Sequence, residues 1–96
     1  MGEDKYTVYI LECADGSYYT GYTVNIDRRM IAHEQGKASK YTRSRRPLKL
    51  VHQEKYESKS DALKREYAIK QLTRTEKEML VEGGELDNVD STKFSE

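Results

Sequence analysis

The stretch YTVYILECADGSYYTGYT, Tyr6–Thr23, is where aromatic and β-branched residues crowd both sides of a turn. It reads as a β-hairpin with strands at about Tyr6–Cys13 and Ser17–Tyr22. Ala14-Asp15-Gly16 suits a three-residue loop, a type I turn followed by Gly16 in the left-handed conformation as a G1 bulge. That loop pairs Cys13 with Ser17, Leu11 with Tyr19 and Tyr9 with Gly21. Directly opposite residues share a face and so do residues two apart, so Tyr9 and Tyr19 fall diagonally on one side of the sheet. A two-residue Asp-Gly loop would shift the register by one and separate them. Gly21, facing Tyr9, leaves space beside the phenol for a ligand.

Outward from the hairpin, Asn25 can cap a helix over about Ile26–Gln35, with Asp27 in its first turn and Gly36 just past its end. Ile26 and Met30 form its apolar seam, and Arg29 and His33 fall beside that seam at the edge of the core. The segment Gly36–Pro47, GKASKYTRSRRP, lacks useful periodicity and reads as irregular or briefly helical. Leu48–Tyr56 reads as a third, more polar strand at an edge, with Leu48, Leu50 and His52 on one side. Ser58 or Ser60 caps a helix to about Leu72, and Thr73 with Glu76 forms a capping box for a short helix to about Val81. In the longer helix, Glu66 stands inside the apolar stripe made by Ala62, Leu63 and Ile69, where a carboxylate is costly without a partner.

The order is thus β-β-α-β-α-α, an α+β sandwich with a central three-stranded antiparallel sheet and helices packed against it. Its 96 residues suit one domain over about 1–82, followed by an acidic tail over 83–96 too polar to fold by itself. No apolar run is long enough to cross a membrane as a helix, and the start MGEDKYT has no signal-peptide character. A lone Cys13 excludes thiolate zinc clusters and points to a reducing, cytoplasmic setting.

The net charge of zero is unevenly spread. Residues 1–27 carry net −4, residues 28–74 net +9 and residues 75–96 net −5. The basic middle suits an anionic polymer, with Lys37, Lys40, Arg43, Arg45 and Arg46 as phosphate contacts and Lys70 further on. The same charges can equally be a solvated surface. No P-loop, dinucleotide fingerprint, HExxH or nucleophile elbow is present.

If both helices reach the same end of the tyrosine face, Tyr9, Tyr19, Arg29, His33 and Glu66 form a set suited to phosphodiester hydrolysis. A carboxylate can hold one hard divalent ion, an arginine can neutralise phosphoryl oxygens, and a phenol or imidazole can take a proton from water. Each residue also has an ordinary use. The tyrosines can fill core, Arg29 can cover the seam with its stem, and His33 can answer the helix dipole. Glu66 can pair with Lys70, Arg65 or Arg74.

VYILECADGSYYTGYTVNIDRRMIAH closely resembles the opening of the GIY-YIG nuclease superfamily, in particular its small single-domain bacterial group of YhbQ- and YazA-like proteins. The two motifs read Val8-Tyr9-Ile10 and Tyr19-Thr20-Gly21. The resemblance continues through Arg28-Arg29, His33, Thr42-Arg43, Arg46-Pro47, Ala62–Glu66, Lys70 and Lys77. It implies an active site lined by Tyr9 and Tyr19, with Arg29 as the helix arginine, Glu66 as ligand to one Mg²⁺ or Mn²⁺, and His33 as helper or alternative base. It further implies DNA as partner and an endonuclease activity of a structure-selective kind in repair or recombination, with room for a protein that supplies targeting. The first motif lacks its leading glycine, and Tyr22 stands where many relatives have a basic residue. The missing basic residue, with no separate DNA-binding part read in the sequence, suits the alternative, a nucleic-acid-binding or adaptor protein that keeps the fold without turnover.

Overall fold

The computed structural model describes residues 5–83. The acidic segment read as a tail therefore lies, from residue 84 on, outside the described residues.

Strands β1 (Tyr6–Glu12) and β2 (Tyr18–Thr23) form the expected hairpin, with Leu11 opposite Tyr19 and Tyr9 opposite Gly21. The Cys13 N–H donates to Ser17 O at 2.8 Å, and Gly16 takes a φ of +87°. Asp15 accepts from the Ser17 amide at 3.0 Å and from its hydroxyl at 2.6 Å, which locks the turn. The three-residue loop and its register hold.

Helix α1 (Ile26–Glu34) follows, with Asn25 accepting from the Arg28 amide at 3.0 Å and Gly36 at a φ of +78° beyond its end. Ser39 then caps a four-residue helix, α2 (Lys40–Arg43), so the segment before Pro47 has one helical turn at its centre. Strand β3 (Lys49–Tyr56) pairs with β1, giving the order β2-β1-β3 with β3 at an edge. Helix α3 (Lys59–Lys70) is capped by Ser58, and α4 (Arg74–Gly83) opens with the reciprocal Thr73–Glu76 box at 2.9 and 3.1 Å.

The sheet separates two cores. On one face Val8 and Ile10 meet Ala62, Ile69 and Leu80 from α3 and α4. On the other, Tyr9, Leu11 and Cys13 meet Leu48, with Ile26, Met30 and Tyr41 from α1 and α2 packed against them. The stripe on α3 is narrower than its spacing suggests, since Leu63 is 40% exposed while Ala62 and Ile69 are fully buried.

Strand β3 departs from simple alternation. Leu11 faces Leu50 while Ile10 faces His52, so Val51 is an extra residue in a bulge. The bulge turns His52 away from Leu50 and towards the α3 side. There Glu54 accepts from Tyr56 Oη at 2.6 Å and from Arg65 Nε and Nη2 at 2.7 and 3.0 Å, with His52 Nε2 at 2.7 Å. Burial acts to raise the Glu54 pKa, but the hydrogen bonds from His52, Arg65 and Tyr56 outweigh it and hold the value at about 2. The folded value lies below the usual 4.5, so the stabilisation is complete above that pH and is lost as the pH falls towards 2. Glu54→Gln is expected to cost about 2 kcal/mol near neutral pH, because solvent reaches part of the network and screens it. Denaturant melts of both proteins should converge as the pH is lowered; a constant gap would assign the loss to packing instead.

Candidate active site

Tyr9 lies on the central strand and is fully buried, on the face covered by α1 and α2. Its phenol crosses β2 at Gly21. A Cβ built on Gly21 would stand 2.5 Å from Tyr9 Oη and 2.6 Å from Cζ. The space that glycine leaves is thus taken by the phenol itself, where the sequence suggests room for a ligand. Tyr19 falls on the same face, with its ring centroid 6.4 Å from that of Tyr9.

His33 closes the group from α1, and it is fully buried rather than at the edge of the core. Its ring meets Tyr9 and Tyr19 edge-on, with centroids 5.7 and 5.4 Å away. Tyr9 Oη lies 2.9 Å from Nε2, and Thr42 Oγ1 lies 3.0 Å from Nδ1. The Thr42 hydroxyl donates to Ser39 O at 3.3 Å, so it receives the Nδ1 proton. Nε2 is then bare and accepts from Tyr9. A relay runs from Tyr9 through His33 to Thr42 and the backbone.

Electrostatics places the remaining two residues. Burial first, then the neighbouring Tyr19, push the Tyr9 pKa up to about 12; Arg29 opposes this by charge and hydrogen bonding, and Glu66 adds to it. Arg29 and Glu66 therefore both act on the Tyr9 phenol, with opposite sign. Burial, then the Arg29 charge, lower the His33 pKa below the usual 6.5 and favour the neutral ring that the relay requires. Glu66 Oε2 lies 3.1 Å from Lys70 Nζ, with the carboxylate side chain 19% exposed and the lysine 51%. The ion pair weighed for Glu66 is present.

The basic cluster divides. Lys37, Lys40 and Arg43 are exposed. Arg45 is engaged by Asp15 at 3.1 Å and by Tyr41 O at 2.9 Å, with its guanidinium 3.8 Å above the Tyr41 ring. Arg46 donates to Glu34 O and Arg43 O, each at 2.9 Å, which closes the ends of α1 and α2. Both have work inside the fold.

Two further residues belong to the site. Thr42 is fully buried and orients His33, and Tyr41 stacks on Tyr19 with centroids 6.0 Å apart. The resemblance runs through Thr42, but the roles of both residues depend on how α2 docks, which no local pattern shows. Across the β2 edge, Tyr18, Tyr19, Thr20, Tyr41, Lys70 and Lys77 line an open cleft of about 380 Å³.

Comparison with known proteins identifies relatives along most of the chain. A UPF0213 protein of Staphylococcus epidermidis is 53% identical over 81 residues, covering 84% of this chain and 99% of its own. One from Halobacterium salinarum is 55% identical over 73 residues, covering 76% and 95%. The solution NMR structure of a UPF0213 protein from Bacillus halodurans has a TM-score of 0.56 at 48% identity, covering 94% of this chain and 96% of its own. An E. faecalis protein solved by the same method has a TM-score of 0.60 at 41% identity, covering 91% and 94%. The GIY-YIG catalytic domain matches residues 5–79, and the chain belongs to that family.

Proposed function

We propose that the protein is a divalent-metal-dependent DNA endonuclease selective for branched or flapped structures, acting in cytoplasmic DNA repair or recombination. The observation that supports it most is the buried relay from Tyr9 to His33 and Thr42, beside the charges of Arg29 and Glu66. A core tyrosine needs one hydrogen-bond partner and no neighbouring acid and base.

The donor set fits one Mg²⁺ or Mn²⁺. Among the described residues no three His, Cys, Asp or Glu side chains are grouped as a metal cage. Glu66 is a single, partly sheltered carboxylate. Mg²⁺ needs only one or two carboxylates, completing its shell with water and substrate phosphate. When bound, the ion supplies an acidified water and neutralises phosphoryl oxygen charge.

The chain's own groups do the rest. Arg29 holds the non-bridging phosphate oxygens and stabilises the charge that grows on them. Tyr9 Oη takes a proton from the attacking water while passing its own to His33 Nε2. The water oxygen bonds to phosphorus as the bond to the leaving oxygen breaks, and that oxygen leaves with a proton from solvent. The lowered proton affinity of His33 lets it release that proton to solvent after turnover, which balances the proton taken up by the leaving oxygen. Tyr19, held between His33 and Tyr41, fixes the wall beside the phenol.

The Glu66–Lys70 ion pair favours the second reading, a nucleic-acid-binding protein without turnover. Branched, flapped and single-stranded DNA should be incubated with Mg²⁺ or Mn²⁺, with Glu66→Ala as control. Metal-dependent cleavage that the substitution abolishes is expected. Binding without cleavage of any substrate would leave the second reading.

A further inference from the structure

We propose that Lys70 exchanges partners, leaving Glu66 for a substrate phosphate in the cleft at the β2 edge, so that metal and nucleic acid bind cooperatively. This rests on the endonuclease reading above.

Lys70 Nζ lies 3.1 Å from the carboxylate that would hold the ion. An ammonium and a divalent cation repel each other there, so the metal-free protein carries its own competitor for Glu66. The competitor is easily moved. Lys70 ends α3, its side chain is half exposed, and its four-carbon stem turns freely. A pair four residues apart whose ammonium is half exposed is also a weak one.

The cleft offers the ammonium another place. Lys70 lines it together with Lys77, and Tyr18, Tyr19 and Tyr41 supply aromatic walls. Two ammonium groups beside aromatic rings suit a phosphate with its adjoining base. The cleft joins residues of α2 to residues of α3 and α4 across β2, and its Tyr19 wall has a ring centroid 6.4 Å from that of Tyr9. A phosphate next to the scissile one would seat there, draw Lys70 away and uncover Glu66. By linkage, the factor by which nucleic acid raises metal affinity equals the factor by which metal raises nucleic-acid affinity.

Mn²⁺ affinity should be measured by titration calorimetry on wild type and Lys70→Met, each with and without a phosphorothioate-linked hexadeoxynucleotide that resists cleavage. Thermal melts should check that both proteins are folded. In wild type the oligonucleotide should tighten Mn²⁺ binding about tenfold, equivalent to about 1.4 kcal/mol. Lys70→Met should bind Mn²⁺ more tightly by itself and gain less from the oligonucleotide, because the competitor is already gone. Equal Mn²⁺ affinity in the two proteins, or an undiminished gain in the variant, would overturn the exchange while leaving the endonuclease intact. No Mn²⁺ binding under any condition would overturn both.

Discussion

Gly21→Ala is expected to abolish cleavage while leaving a folded but weakened protein. The nearest obstacles to the new methyl are Oη and Cζ of Tyr9, at 2.5 and 2.6 Å. The ring is fully buried and its hydroxyl is tied to His33, so it cannot turn aside without breaking the relay. Tyr19 Cε2 at 3.1 Å blocks the other side. Overpacking of this kind costs about 1–3 kcal/mol, and loss of a positioned base costs about 10²–10⁴ in rate. Denaturant melts with a cleavage assay measure both. Normal activity in a folded G21A protein would show that Tyr9 need not lie over β2.

Glu66→Gln is expected to lower cleavage by about 10³-fold, the rate equivalent of the several kcal/mol that a cation contributes. The amide keeps the shape and hydrogen-bonding capacity of the side chain but not the charge. Stability should change by less than about 0.5 kcal/mol, because Lys70 is half exposed and water can take over its ammonium. Melting thus does not separate a metal ligand from an ion-pair partner here. NMR shifts of α3 amides on adding Mn²⁺ or Mg²⁺ do, since they should appear in wild type and vanish in E66Q. Shifts of equal size in both would place the ion elsewhere.

Much of the fold was legible because its determinants are local. Asp15-Gly16 sets the hairpin register, and Asn25, Ser58 and the Thr73–Glu76 box start three helices with their own side chains. From that register it follows that Tyr9 and Tyr19 share a face. The bulge at Val51 was not legible, because an alternating strand looks the same until its partner is known. Without it, alternation would put Glu54 on the Leu50 face rather than at the centre of a network joining β3 to α3. Burial of His33 likewise depends on α2, whose Thr42 completes the ring's hydrogen bonds. Arg45 and Arg46 looked like phosphate contacts because charge is visible in a sequence, whereas the carbonyls they serve are not.

The two layers that meet at the β2 edge give the site a safeguard. Histidine and threonine arrive with α1 and α2 on one face, and the carboxylate arrives with α3 on the other. Undocking either layer separates the proton relay from the carboxylate, while the tyrosines remain on the hairpin. Local opening of a small domain exposes such layers one at a time. A half-folded chain, whether newly made or partly denatured, would therefore be inert towards DNA. On the endonuclease reading, cutting would be a property of the finished molecule alone.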